Sequence, residues 1–185
     1  MYFKKLLFVV VVALSCSGAF AQKDLDIPHD KLPVPPTSPV RLFIIQRNTS
    51  TNTVVYDANM LPNKKLNPDL PVRVYWLRYA EKGQRQDLST IQRTLAYGYE
   101  FKSLPKEPGS YDFNLISYRK RRFKITLDEE GNPMALFPIA GRMQKLHRIY
   151  VRLEEDGHLF PKVLYVELFG KDPKTGADAY ERFKP

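Results

Sequence analysis

Short stretches in which apolar and polar residues alternate recur along the chain, and they constrain its fold more than any other feature. Alternation with a period of two is typical of β-strands that bury one face. Turn-forming residues separate the stretches, as in the polar run 48–52 and the acidic run 128–132. About eight strands are predicted: 40–47, 53–57, 72–79, 111–115, 123–127, 134–139, 143–153 and 163–169.

One of these stretches, residues 143–153, is ambiguous between a helix and a strand. Leu146 and Tyr150 recur at helical spacing, whereas the β-branched Ile149 and Val151 favour a strand. A matching apolar run follows the next turn, so we interpret the two runs as a hairpin.

One short helix is predicted over about 89–97. Ser89 and Gln92 fit a capping box, in which a hydroxyl and an amide satisfy free backbone donors at the helix start. Ile91 and Leu95 lie four residues apart, and we expect them to pack against the sheet.

Together these elements predict a mainly β protein with one antiparallel β-sandwich or barrel-like domain over residues 40–185. The chain has 185 residues with 11 Phe, 11 Tyr and one Trp, which suffice for a core and exclude a disordered tail. We find no internal repeat and no second domain.

Residues 1–21 have the layout of a secretory signal peptide. Lys4 and Lys5 precede an apolar run over 6–14, and small residues precede the expected cleavage before Gln22. The run is shorter than the 20 or so residues of a membrane-spanning helix. We therefore expect an exported protein of the periplasm or envelope surface.

Cys16 gives an alternative, because its context loosely resembles the lipid-attachment site of bacterial lipoproteins. It is the one cysteine of the chain, so cleavage after Ala21 leaves a mature protein with no disulfide and no thiolate.

Residues 22–39 form a proline-rich arm, with five prolines within 12 positions. Such a composition favours extended polyproline-like backbone. The arm is interpreted as a spacer, or alternatively as a proline-rich motif for a partner.

Motifs for catalysis and metal binding are missing from the sequence. The three histidines lack metal-ligand spacing, and no nucleophile elbow or phosphate-binding glycine loop occurs. We assign no catalytic residue, metal or cofactor. Because export is expected, we predict that nucleic acid is not a partner.

A basic run is the sharpest local feature in a chain with a formal net charge of +9. Near an anionic surface each such cation contributes about 1 kcal/mol of attraction, so the run predicts contact with anionic envelope lipid or glycan. The alternative is a charged edge strand that prevents aggregation. The five cations are Arg119, Lys120, Arg121, Arg122 and Lys124.

A second group combines polar and aromatic residues at the ends of the first strands. Aromatic faces beside Arg and Asn suit carbohydrate or carboxylate recognition, and strand ends commonly carry binding sites. Alternatively, the aromatic residues are core and the charged ones pair internally. The group contains Arg47, Asn48, Tyr56, Asp57, Asn59, Trp76 and Arg78.

Several segments resemble the bacterial family labelled domain of unknown function 4833. The resemblance implies an exported or lipid-anchored β-rich protein of Gram-negative bacteria with no established activity, and it assigns no catalytic residue. The segments that carry it are 46–48, 55–59, 71–76, 91–93, 96–98, 167–171 and 180–183.

The sequence thus predicts a non-enzymatic binding or scaffolding module with a basic face for anionic envelope components. Two alternatives stay open: a periplasmic enzyme that acts on glycan or peptide, with Arg47, Tyr56, Asp57 and Trp76 lining a cleft, and a subunit of an envelope assembly.

Export gives the first testable prediction. Removal of 21 of the 185 residues leaves 164, so the mass of the mature protein should correspond to a chain that begins at Gln22. Intact-protein mass spectrometry of the natively expressed protein measures this. A chain that keeps Met1 would contradict export, and a lipid mass on Cys16 would identify a lipoprotein.

Overall fold

A computed structural model describes residues 26–154 and 162–185, so the predicted signal peptide and Cys16 lie outside the described residues. The described chain is mainly β, with 11 strands in one connected sheet. The strands are β1 (Arg41–Arg47), β2 (Ser50–Ala58), β3 (Val72–Arg78), β4 (Gln84–Asp87), β5 (Tyr99–Ser103), β6 (Tyr111–Leu115), β7 (Tyr118–Leu127), β8 (Pro133–Ile139), β9 (Arg142–Leu153), β10 (Val163–Lys171) and β11 (Asp178–Phe183).

The long strand β9 organises this sheet. Its first residues pair with β8, in a register that sets Arg142 opposite Ile139, and its later residues pair with β1, where Ile149 lies opposite Ile45. β10 follows the other edge of β9, and β11 pairs with β10. Two four-stranded limbs therefore leave the same edge of β9: a first limb of β1–β4 and a second limb of β5–β8.

The two limbs curl toward each other and share one core of aromatic side chains. Phe43 of the first limb stacks on Tyr56 at 4.3 Å between ring centroids and on Phe123 of the second limb at 5.2 Å. Phe113 of the second limb packs edge-on against the ring of Phe43. Burial of these large apolar surfaces makes the main contribution to the free energy that holds the limbs together.

A helical segment crosses from the edge of the first limb to the edge of the second. It consists of an α-helical turn, Thr90–Gln92, followed by a π-helical turn, Arg93–Tyr97. The predicted capping box is present, since Ser89 accepts from the Gln92 amide and Gln92 accepts from the Ser89 amide. At Gly98 any side chain would collide with the Arg93 carbonyl oxygen, which explains why a glycine ends the segment.

The predicted packing of this helix is wrong. Ile91 and Leu95 are 66% and 67% exposed, whereas the neighbouring face carries the contacts to the sheet. Gln92 Oε1 accepts a hydrogen bond from Trp76 Nε1 at 3.2 Å, and Tyr97 packs edge-on against the same indole. The π-helical turn changes the angular spacing of side chains, so a period of 3.6 residues selects the wrong face.

The predicted fold is confirmed only as a mainly β domain with one short helix. All eight predicted stretches contain strands, but β4, β5 and β11 were not predicted, because short edge strands with exposed side chains lack a clear apolar face. The sheet is curled and open instead of a closed barrel, since β4 and β5 at its ends do not pair. It is also not wholly antiparallel, because β1 and β9 are parallel.

The described part of the proline-rich arm packs along the outer face of β1, β9 and β10. The Ile27 amide donates to the Asn48 carbonyl, and the Tyr150 hydroxyl donates to the Ile27 carbonyl at 2.8 Å. Gln46 donates to the Pro33 carbonyl at 2.8 Å. These bonds fix residues 27–33 on the sheet through backbone groups that the prolines leave free.

A buried carboxylate beneath the arm is the main polar anchor of this face. Glu167 is 1% exposed, and its Oε1 accepts from the Tyr180 hydroxyl and Arg182 Nη2, both at 2.7 Å. His29 Nδ1 of the arm lies 3.1 Å from Oε2. Burial acts to raise the pKa of Glu167, but the hydrogen bonds from Tyr180 and Arg182 and the charge of His29 outweigh it and lower the pKa.

The core and the helix give contrasting stability predictions. Phe113→Ala removes a fully buried ring and should lower the free energy of unfolding by about 3–5 kcal/mol. Leu95→Ala, on the exposed face of the helical segment, should change it by no more than about 0.5 kcal/mol. Urea unfolding followed by circular dichroism measures both. Equal losses in the two variants would show that Leu95 packs into the protein.

Glu167 predicts an acid-dependent loss of stability. Because the pKa of Glu167 is lowered in the folded protein, its ionised form stabilises the fold above its ordinary value of 4.5, and this contribution disappears as the pH falls through the lowered pKa. Glu167→Gln should lower the free energy of unfolding at pH 7 by about 3 kcal/mol and should flatten its decline below pH 5.

The control for this experiment is Glu129→Gln in the exposed turn between β7 and β8. It should leave both the stability at pH 7 and the acid profile as in the parent. A Glu167→Gln variant that behaves like this control would contradict the anchoring role of the carboxylate.

Candidate functional site

The two limbs do not fill the space between them completely, and a cavity of about 280 Å³ remains at one end of the sheet. The inward faces of β1, β2, β9 and β10 form much of its wall, and the turn between β6 and β7 and the end of the helical segment complete it. Large rings fill the centre of the core, whereas β-branched residues such as Val54, Val151 and Val166 face the cavity. The smaller side chains leave the space open.

The cavity wall is apolar, with a few polar side chains near the surface. Phe123, Phe137 and Trp76 contribute aromatic surface. Ser117 is exposed and Arg47 is partly exposed, which shows that the cavity reaches the solvent at this end. The described residues of the wall include no Asp or Glu side chain. An apolar cleft with few polar groups is the usual form of a small-molecule site.

Arg47 and Trp76 are the two predicted site residues that the structure brings together in this cavity. The Arg47 guanidinium carbon lies 5.7 Å from the centroid of the Trp76 ring, within the range of a cation–π interaction. Hydrogen bonding to Gln92 and edge contact with Tyr97 fix the indole from its other sides. A rigid aromatic surface therefore lies next to a positive charge at the cavity mouth.

Tyr56 and Asp57 do not join this site. Tyr56 is fully buried in the core, and its hydroxyl donates to the Tyr97 carbonyl at 2.7 Å. Burial raises the pKa of Tyr56 well above its usual value, with smaller contributions from Tyr97 and Tyr99, so the hydroxyl acts as a neutral donor. Because side chains alternate along β2, Asp57 lies on the opposite face, where it accepts hydrogen bonds from Arg41 at 2.5 Å and from Tyr75 at 2.6 Å.

The other three residues of the predicted polar group make local structural contacts. The Asn48 side chain donates to the Leu153 carbonyl and accepts from the Leu153 amide at 2.8 Å, which ties the β1–β2 turn to the end of β9. The Asn59 side chain donates to the Leu70 carbonyl at 2.8 Å. Arg78 lies at the surface, where it pairs with Glu81 and donates to the Gln86 side chain.

Most cations of the basic run in β7 are paired with carboxylates. Arg119 pairs with Glu100 at 2.8 Å, Arg121 with Glu181 at 2.5 Å and Arg122 with Asp112 at 2.7 Å, and Lys124 pairs with Glu107. The hydrogen bond from Arg121 holds the pKa of Glu181 below its usual value. Lys120 is exposed and forms no ion pair with any described residue.

Sequence reasoning missed the residues that make the cavity. Ile149 and Val151 alternate in the predicted strand, and this alternation was the available signal that they share one inward face with Leu153. Tyr97 and Tyr118 also line the cavity, but no alternation marks them in the sequence. Each lies where a helical segment or a turn meets the sheet. The cluster of His29 with Glu167 joins residues too distant in sequence to be read as a motif.

Two further properties concern the described residues as a whole. Over 26–154 and 162–185, no three or more His, Cys, Asp or Glu side chains come together as a metal-binding group. In the same part of the chain, no helix has the length and apolar character needed to cross a membrane.

Comparison with known proteins places the chain in a family. No curated protein and no solved structure matches it at a significant level. The family model described as "Domain of unknown function (DUF4833)" matches residues 43–182, which cover most of the chain and all of the cavity wall except its C-terminal end. The chain therefore belongs to the DUF4833 family.

Proposed function

We propose that this protein is a non-enzymatic binding module that takes a small apolar molecule into the cavity between its two limbs. The observation that carries the proposal is the cavity itself: about 280 Å³ of space with an apolar, largely aromatic and aliphatic wall that reaches the surface. Its volume is close to the lower end of about 300–1,000 Å³ for small-molecule sites. An unfilled apolar cavity lowers stability, so a cavity of this size is best explained by an occupant.

The chemistry of the wall favours binding over catalysis. General acid–base catalysis on glycan or peptide needs a carboxylate or histidine within reach of the substrate. Neither residue type occurs among the described residues that line the cavity. Tyr56 and Asp57, which the enzyme hypothesis needs in a cleft beside Trp76, are a core residue and an outer-face ion-pair partner. The periplasmic enzyme therefore stays the weaker candidate.

The proposed binding site is the cavity, whereas the sequence predicted binding at the basic strand β7. Four of the five cations in 119–124 have carboxylate partners, which reduces the attraction of that strand for an anionic surface. Contact of the strand with anionic lipid or glycan stays a prediction, with Lys120 as its most available charge. Charge reversal at Lys120 and a salt titration of vesicle binding test it.

The proposal places the module in the periplasm or at the envelope surface of a Gram-negative bacterium. Its support is the signal-peptide layout of residues 1–21 and the family resemblance. A role as an assembly subunit has one supporting observation, the exposed pair Ile91 and Leu95 on the helical segment. Two side chains form a much smaller patch than the several hundred Å² of a typical interaction site.

Binding of 1-decanol, a neutral apolar probe, tests the proposal. Trp76 is the one tryptophan of the chain and lines the cavity, so its fluorescence should change as the alcohol binds. Val151→Phe places a larger side chain in the cavity and should weaken binding by at least about tenfold, since overfilled sites exclude their ligands.

The matched control is Leu95→Phe, which adds a phenyl ring at an exposed position. It should bind decanol as the parent does. Thermal unfolding confirms that both variants fold. Absence of binding to the parent, or equal binding by the parent and Val151→Phe, would overturn the proposal.

A further inference from the structure

We infer that the molecule in the cavity carries one anionic group, and that the Arg47 guanidinium binds it. This inference rests on the proposed function and names the class of ligand: an apolar monocarboxylic acid whose tail fills the cavity and whose carboxylate lies at the mouth. The observation behind it is a guanidinium at an apolar cavity for which none of residues 26–154 and 162–185 supplies a counter-charge.

Arg47 ends β1, and its side chain borders the cavity beside Trp76. Its Nε is inaccessible to solvent and has no hydrogen-bond partner among the described residues. No described residue forms an ion pair with its guanidinium. The guanidinium makes a cation–π contact with Trp76. Unlike Nε, the two terminal nitrogens are accessible, and no described residue accepts a hydrogen bond from them. They are the donors that a ligand oxygen at the cavity mouth can reach.

Several other arginines of the sheet have a protein acceptor for the guanidinium. Arg41, Arg121 and Arg182 each donate to a carboxylate, at 2.5 Å, 2.5 Å and 2.7 Å. Arg148 has a buried Nε without a partner as well, but its Nη2 donates to the His29 carbonyl. Arg47 differs from these because it lines the cavity and no described residue accepts a hydrogen bond from its guanidinium.

The cavity wall determines the remaining properties of the ligand. The described residues that line the cavity include no Asp or Glu, so none of their side chains repels an anion at Arg47. A planar guanidinium matches a carboxylate through two parallel hydrogen bonds. A cavity of about 150 Å³ accommodates benzene, so one of about 280 Å³ suits an apolar tail of about ten carbons. That size admits a single chain and excludes a whole two-chain lipid.

Paired titrations with decanoate and 1-decanol test the inference, because the two probes share a tail and differ in charge. Isothermal titration calorimetry at pH 7.5 should show that the parent binds decanoate at least about tenfold more tightly than decanol. Arg47→Gln should remove this preference, because it weakens the binding of decanoate by more than the binding of decanol. Arg47→Lys, which keeps the charge without the planar fork, should retain part of the preference.

Two control variants remove an arginine elsewhere. Arg78→Gln removes a paired surface arginine of β3, and Arg122→Gln removes a paired arginine of the basic run. Both should bind decanoate as the parent does. A preference for decanoate that survives Arg47→Gln, or that is lost in Arg122→Gln, would overturn the role of Arg47.

The failure of this inference is distinguishable from failure of the proposed function. Equal affinity of the parent for decanoate and decanol would overturn the anionic ligand and leave the apolar site in place. Absence of binding for both probes would overturn the two together. Circular dichroism and thermal unfolding of Arg47→Gln and Arg47→Lys establish that each variant tested is folded.

Discussion

The structure depends on one long strand that offers a single edge to two partners in succession. β9 pairs with β8 at its beginning and with β1 at its end, and β10 occupies its other edge. A sheet with the normal twist of β-strands cannot continue flat from both partners, so the two limbs turn toward each other. Facing limbs allow Phe43, Tyr56 and Phe123 to stack into one core without a disulfide among the described residues.

The same arrangement creates the cavity. Aromatic rings of both limbs stack in the core, whereas smaller side chains such as Val54 of β2, Val151 of β9 and Val166 of β10 line the cavity. The polar side chains at that end include one guanidinium without an acceptor among the described residues. Fold and proposed function are therefore consequences of one pairing pattern, since the shared edge of β9 determines both the position of the limbs and the space between them.

Local sequence patterns predicted the local elements well. Alternation located eight of the strands, and the Ser89–Gln92 capping box located the helical segment, because both depend on neighbours in sequence. The parallel pairing of β1 with β9 was not predictable from alternation, which specifies a face but not a partner. The exposed face of the helix was misassigned because its second turn is π-helical.

The candidate site was predictable only in part, for a similar reason. Arg47 and Trp76 were selected by residue type, and both line the cavity. Tyr56 was selected on the same basis but lies beneath Phe43 and Tyr97 in the core. The basic run has counter-ions from distant segments, such as Glu181, which lies 60 residues beyond its partner Arg121. Burial and pairing of this kind arise from tertiary structure and leave no local signal.

Methyl and arginine side-chain NMR spectra of the protein titrated with decanoate test the central claim most directly. The account predicts that shifts are confined to the cavity, with the methyl groups of Val54, Ile149 and Leu168 and the Nε–H of Arg47 changing together along one binding curve. Shifts confined to the basic strand 119–124, or no shifts at concentrations where the probe is monomeric, would contradict it.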